Sequence, residues 1–113
     1  MIRPAAFLIA AALAARSPDQ RQALVDLAYV LGEAHALRQA CHGDQTWRMQ
    51  MSRMVAIEAP EDALKRRMVD SFNAGFMLRQ AEYPACGPKV TEAERETAAR
   101  GRVLALGLGG ESP

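Results

Sequence analysis

The sequence predicts an all-α fold: a small four-helix bundle with one disulfide, preceded by a signal peptide. Three observations predict it. The stretch Leu24 to Cys41, LVDLAYVLGEAHALRQAC, places Ala28, Gly32, Ala36 and Ala40 every fourth residue, beside Leu24, Leu27, Leu31 and Leu37. On a helix that pattern is a narrow small-residue stripe, open to close approach, flanked by apolar bulk. Alanine, leucine, arginine and glutamate dominate the composition, and no strand-like alternation or internal repeat interrupts it. The third observation is a pair of well-separated cysteines, Cys41 and Cys86, in a chain whose start resembles an export signal.

At that start, Arg3 supplies a positive charge, Ala5 to Ala15 is an unbroken apolar run, and Ala12-Leu13-Ala14 places small residues where an A-x-A cleavage site needs them. The run is too short to cross a bilayer, which takes about 20 apolar residues. We therefore expect residues 1–14 to be a signal peptide, cut after Ala14 or Ala15, and residues 15–113 to form one helical domain in the periplasm. No lipoprotein cysteine lies near the cut, and no later segment is apolar enough to span a membrane. In an oxidising compartment Cys41 and Cys86 are expected to pair. Their spacing is no C-x-x-C redox motif; a reactive thiol or a metal ligand is the alternative.

The chain of 113 residues holds 14 Lys plus Arg and 13 Asp plus Glu. Without Arg3 the two signs are equal in number. Such a balance argues against nucleic acid or an acidic membrane surface as partner.

Helix 1 is expected over 18–41, with Ser17 as N-cap, Pro18 at the first position, Gln20 completing a capping box and Gly43 as terminator. Helix 2 follows over 45–59, capped by Asp44, with Trp47, Met51, Met54 and Glu58 on one face. Pro60 ends it and opens helix 3 over 60–82, where Glu61 and Asp62 suit the N-terminal dipole and Leu64, Met68, Phe72 and Phe76 follow helical spacing. Gly75 is expected to face the Ala28–Gly32–Ala36 stripe. Tyr83-Pro84 and Cys86-Gly87-Pro88 break the chain. Thr91 and Glu94 form a second capping box for helix 4 over 91–106, whose alternating charges suit a solvated face. From Gly107 a frayed tail is expected.

The run LAYVLGEAHALRQAC, then GDQTWR, the FNAGF segment and YPAC together resemble a family of small, exported, uncharacterised alphaproteobacterial proteins with two well-separated cysteines. The resemblance spans about Leu24 to Arg102. It implies export and a Cys41–Cys86 bridge, and it supplies no activity, cofactor or catalytic residue.

Candidate site residues are few. Gly32, His35 and Arg38 are spaced to line one groove on helix 1, where an anionic group would fit; the plainer alternative is a histidine hydrogen-bonded to a neighbouring helix. Glu33 points elsewhere on helix 1. Asn73, between Phe72 and Gly75, is expected to turn inward toward His35 or Arg38, so Glu33, His35, Arg38 and Asn73 form a candidate polar seam. His42 sits at a helix C-terminus, where its charged form is favourable. Trp47 is a candidate interface anchor or a seal on the bundle end. Met49, Met51 and Met54 carry soft sulfur ligands, but a helix turns Met49 away from the other two, which favours core filling over Cu(I). Lys65-Arg66-Arg67 spreads around its helix as a solvated face. There is no nucleophile elbow, readable acid pair, phosphate loop or zinc spacing. The expectation is a non-enzymatic module without cofactor or metal, binding an envelope protein such as a sensor or assembly component. The alternative is a small-ligand or copper binder.

Overall fold

The computed structural model describes residues 16–109. Ser17 starts the first helix, α1 (Pro18–Cys41), through a reciprocal pair. Its hydroxyl accepts from the Gln20 N–H (3.1 Å), and the Gln20 side chain accepts from the Ser17 N–H (2.9 Å). After Cys41 the chain turns at Gly43, whose φ of 72° is one that glycine adopts without strain. Asp44 then serves the start of α2 (Thr46–Glu58): Oδ1 accepts from the Thr46 N–H at 3.2 Å and its hydroxyl at 2.8 Å.

The next connection differs from expectation. Helix α2 stops at Glu58, Ala59 takes up a left-handed conformation (φ 44°), and Pro60 lies between helices rather than at the first position of the next. Helix α3 (Asp62–Glu82) begins after Glu61, and Asp62 sits in its first turn. Helix α4 (Pro88–Gly107) starts three residues before Thr91, which corrects the expected 91–106. Proline at a first helical position forfeits no hydrogen bond and fixes a helical φ, so Gly87-Pro88 starts the helix rather than only breaking the chain. The Thr91–Glu94 capping box therefore does not form. Thr91 is exposed one turn into α4, and Glu94 is engaged elsewhere.

Helix α1 is the hub. It packs against each of the other three helices, most extensively against α3 and least against α2, while α2 and α4 make no extended contact with each other. The α1–α3 crossing brings the two backbones against each other. A Cβ built on Gly32 would lie 1.9 Å from the Phe72 carbonyl oxygen, and one on Gly75 would lie 2.2 Å from that of Tyr29. Gly75 thus docks against the Tyr29 and Glu33 backbone immediately beside the small-residue stripe, Gly32 of the stripe meets Phe72, and Ser71 Oγ donates to the Val25 carbonyl across the same seam (2.8 Å). Leu24, Leu27, Leu31, Met51, Leu64, Met68 and Phe72 fill the core beside it.

A smaller cluster of Leu37, Val90 and Ala93, with Cys41 and Tyr83 against it, lies at the other end. There Cys41 and Cys86 are bonded, Cα to Cα 4.7 Å, tying the end of α1 to the turn before α4. Between α3 and α4, Glu33 is buried at 4% exposure. Its Oε2 accepts from Arg79 Nε at 2.9 Å, and Arg100 Nη1 stands 3.2 Å from Oε1.

Among the described residues no helix is long and apolar enough to cross a membrane. The expected signal peptide and its cut lie outside the described residues, as does the end of the tail, 110–113.

Candidate functional site

Glu33, His35, Arg38, Trp47 and Asn73 do not form one site. On a helix Glu33 and His35 are about 160° apart, and tertiary packing separates them further. Glu33 faces Arg79 and Arg100. His35 is 6% exposed and packs against Phe72 and Phe76, with ring centroids 5.8 and 5.4 Å away. Its Nδ1 has no hydrogen-bond partner. Burial, aided by the Arg48 charge and opposed by Asp44, lowers the histidine's pKa and keeps the ring neutral. Asn73 is exposed, on the wall of a shallow hollow between α2 and α3 beside Arg48 and Lys65. The polar seam through Asn73 is therefore absent. Two residues on, Gly75 occupies the contact with α1, and positions about 160° apart on a helix cannot both face it. The expected groove of Gly32, His35 and Arg38 is also closed, because Gly32 lies under the Phe72 backbone.

Arg38 and Trp47 are brought together, by a residue that sequence reasoning placed in a helix cap. Glu94 Oε2 accepts from the Trp47 indole N–H at 2.8 Å and lies 3.5 Å from Arg38 Nη1. Arg38 Nε also donates to both oxygens of Asp44 (3.1 and 3.0 Å) and holds that carboxyl well below the usual carboxylate range, with help from Thr46. Gln39 donates to the Asp44 carbonyl at 2.6 Å. This cluster locks the start of α2 to α1 and α4.

A second lock stands at the opposite end. Arg16 donates twice to Glu58 (3.0 and 2.8 Å) and once to the Leu108 carbonyl (2.7 Å). The Glu58 hydrogen bonds raise the Arg16 pKa further.

Between the two locks α2 and α4 stand apart over α1 and leave an open apolar groove of about 580 Å³. Its floor is Leu24, Leu27, Leu31 and Ala34 of α1. Trp47, Gln50, Met54 and Ile57 of α2 form one wall, and Ala98, Gly101 and Ala105 of α4, with Leu108, form the other. Each set is spaced three, four and three residues apart, the spacing by which a helix turns one seam toward a neighbouring helix. Ile57 is 73% exposed on the rim. Sequence reasoning noted the floor and Trp47 but missed the groove. The signal was present in Ala98, Gly101 and Ala105, small residues at seam spacing within the charged helix α4.

The methionines diverge: Met51 is buried at 7% exposure and Met49 is 60% exposed. Among the described residues no group of three or more His, Cys, Asp or Glu side chains is placed to hold a metal ion. Lys65, Arg66 and Arg67 are all exposed.

These features define a class: a disulfide-stapled helical bundle with an open helix-lined groove. A family model described as "Protein of unknown function (DUF2385)" matches residues 19–110, and the chain belongs to that family. No curated protein and no solved structure matches the chain.

Proposed function

We propose that this chain is an exported, non-enzymatic interaction module that binds another envelope protein through the groove between α2 and α4. One observation carries the reading. An apolar groove flanked by helices on three sides, floored by the hub helix and pinned open at both ends by hydrogen-bonded locks, is a surface suited to a partner rather than to a reaction. No enclosed cleft gathers titratable side chains there; the carboxylates at its ends, Glu58 and Glu94, are each paired with arginine. The disulfide and the export-like start support a periplasmic location. A sensor domain or an assembly component of the envelope is the partner class in view.

The test is site-directed photo-crosslinking in cells. A photoreactive residue at Ile57 or Ala105, on the two groove walls, should yield one discrete adduct. The same group at Met77 on α3, 66% exposed but away from the groove, should not. Equal labelling from all three positions, or none from the groove, refutes the reading.

A further inference from the structure

The geometry points to an acidic amphipathic helix as the occupant of this groove, a deduction that rests on the interaction reading above. Two independent observations select it. The first is shape. Floor and both walls each present a three-four-three seam, so the groove has three sides of a helical bundle and the open side of the fourth. An inserted helix with apolar residues at the same spacing would meet all three seams at once by knobs-into-holes packing. Small residues on the α4 wall, Ala98, Gly101 and Ala105, admit larger knobs from the occupant, while Met54 and Ile57 supply bulk from the other side.

The second is charge. Four charged side chains line the groove: Arg16, Glu58, Arg53 and Arg102. Arg16 and Glu58 neutralise each other. Arg53 on the α2 wall and Arg102 on the α4 wall are exposed and have no acidic partner among the described residues. They stand on opposite walls, where the flanking positions of an inserted helix would pass. Carboxylates at those positions answer both guanidiniums, whereas basic residues face repulsion. Residues 5–15 of this chain are apolar but carry no carboxylate, so as an occupant they would leave both arginines unanswered. A fatty acid offers one carboxylate, not the two that the opposed arginines ask for.

Trp47, the only tryptophan, lines the groove and reports on it directly. The probe is a peptide of about three heptads with leucine at both seam positions and glutamate flanking them, set against its lysine-flanked counterpart. The oxidised full chain should bind the glutamate peptide at least about tenfold more tightly, with a blue shift of Trp47 emission. The double variant Arg53→Glu/Arg102→Glu should reverse the preference at an unchanged melting temperature. If that variant fails to fold, Arg53→Gln and Arg102→Gln should each weaken the preference. Equal binding of the two peptides, a silent Trp47, or displacement of the glutamate peptide by palmitate or by a peptide of residues 5–15 overturns the inference. A groove-specific crosslink with no glutamate preference leaves the interaction module standing and removes only this assignment; loss of both removes both.

Discussion

Gly32 and Gly75 are the residues with least freedom to change. Each stands against backbone rather than a side chain, so a neighbour cannot yield by changing rotamer. Gly32→Ala should cost about 3 kcal/mol in urea unfolding, and Gly32→Leu should prevent folding, while Gly107→Ala, with nothing within 4 Å of the added carbon, should be neutral. Ala59 is the converse case. Its left-handed φ of 44° burdens a residue with a Cβ, so Ala59→Gly should stabilise the chain by about 1 kcal/mol in the same measurement.

His35 makes a prediction in pH. Its folded-state pKa is lowered, so acidification protonates the unfolded chain first. Stability from this group is fully present above its unfolded pKa of about 6.5 and falls as the pH drops from there toward the folded value. The melting temperature should fall on passing from pH 7 to pH 5. His35→Phe, which suits the Phe72 and Phe76 contacts and cannot titrate, should flatten that part of the profile; an unchanged slope contradicts the assignment.

Among the elements, α2 is the least secured. It has one buried residue, Met51, and depends on the Trp47–Glu94 hydrogen bond and the Arg16–Glu58 pair at its ends. Trp47→Phe should cost about 1 kcal/mol in global stability and should speed amide exchange in α2 before that in α1 or α3. A wall that loosens before the core is also one that adjusts to an occupant. Helix α3 is held differently. Arg79 supplies the hydrogen-bonded charge partner of buried Glu33, so Arg79→Met should destabilise the fold strongly, by about 3 kcal/mol, because it removes the better partner of a buried carboxylate.

At the scale of the whole molecule, the bridge closes a loop with a separation of 45 residues. In the chain-entropy account such a loop restricts the unfolded state by up to about 4 kcal/mol. Reduction, or the Cys41→Ser/Cys86→Ser pair, should lower the urea midpoint accordingly, and the cluster of Leu37, Val90 and Ala93 should lose protection first. Unfolding at the same midpoint with and without reductant would contradict the staple role.

What the sequence determined by itself is local or self-repeating. The Ser17–Gln20 capping box, the helical periodicity and the four-residue stripe are properties of neighbours along the chain, and they sufficed to predict an all-α bundle and the meeting of Gly75 with α1. The two cysteines added the bridge, since they had only each other to pair with. Only the tertiary structure decided which polar residues meet. Asn73 and Gly75 compete for one face of α3, and the glycine takes it because only a residue without a side chain fits against the Tyr29 carbonyl. Glu94 carries no sequence sign that it belongs to Trp47 and Arg38, because its partners come from other helices. The groove is non-local in the same way. It is the space left where α2 and α4 pack on α1 without packing on each other, and no single helix carries a record of that separation.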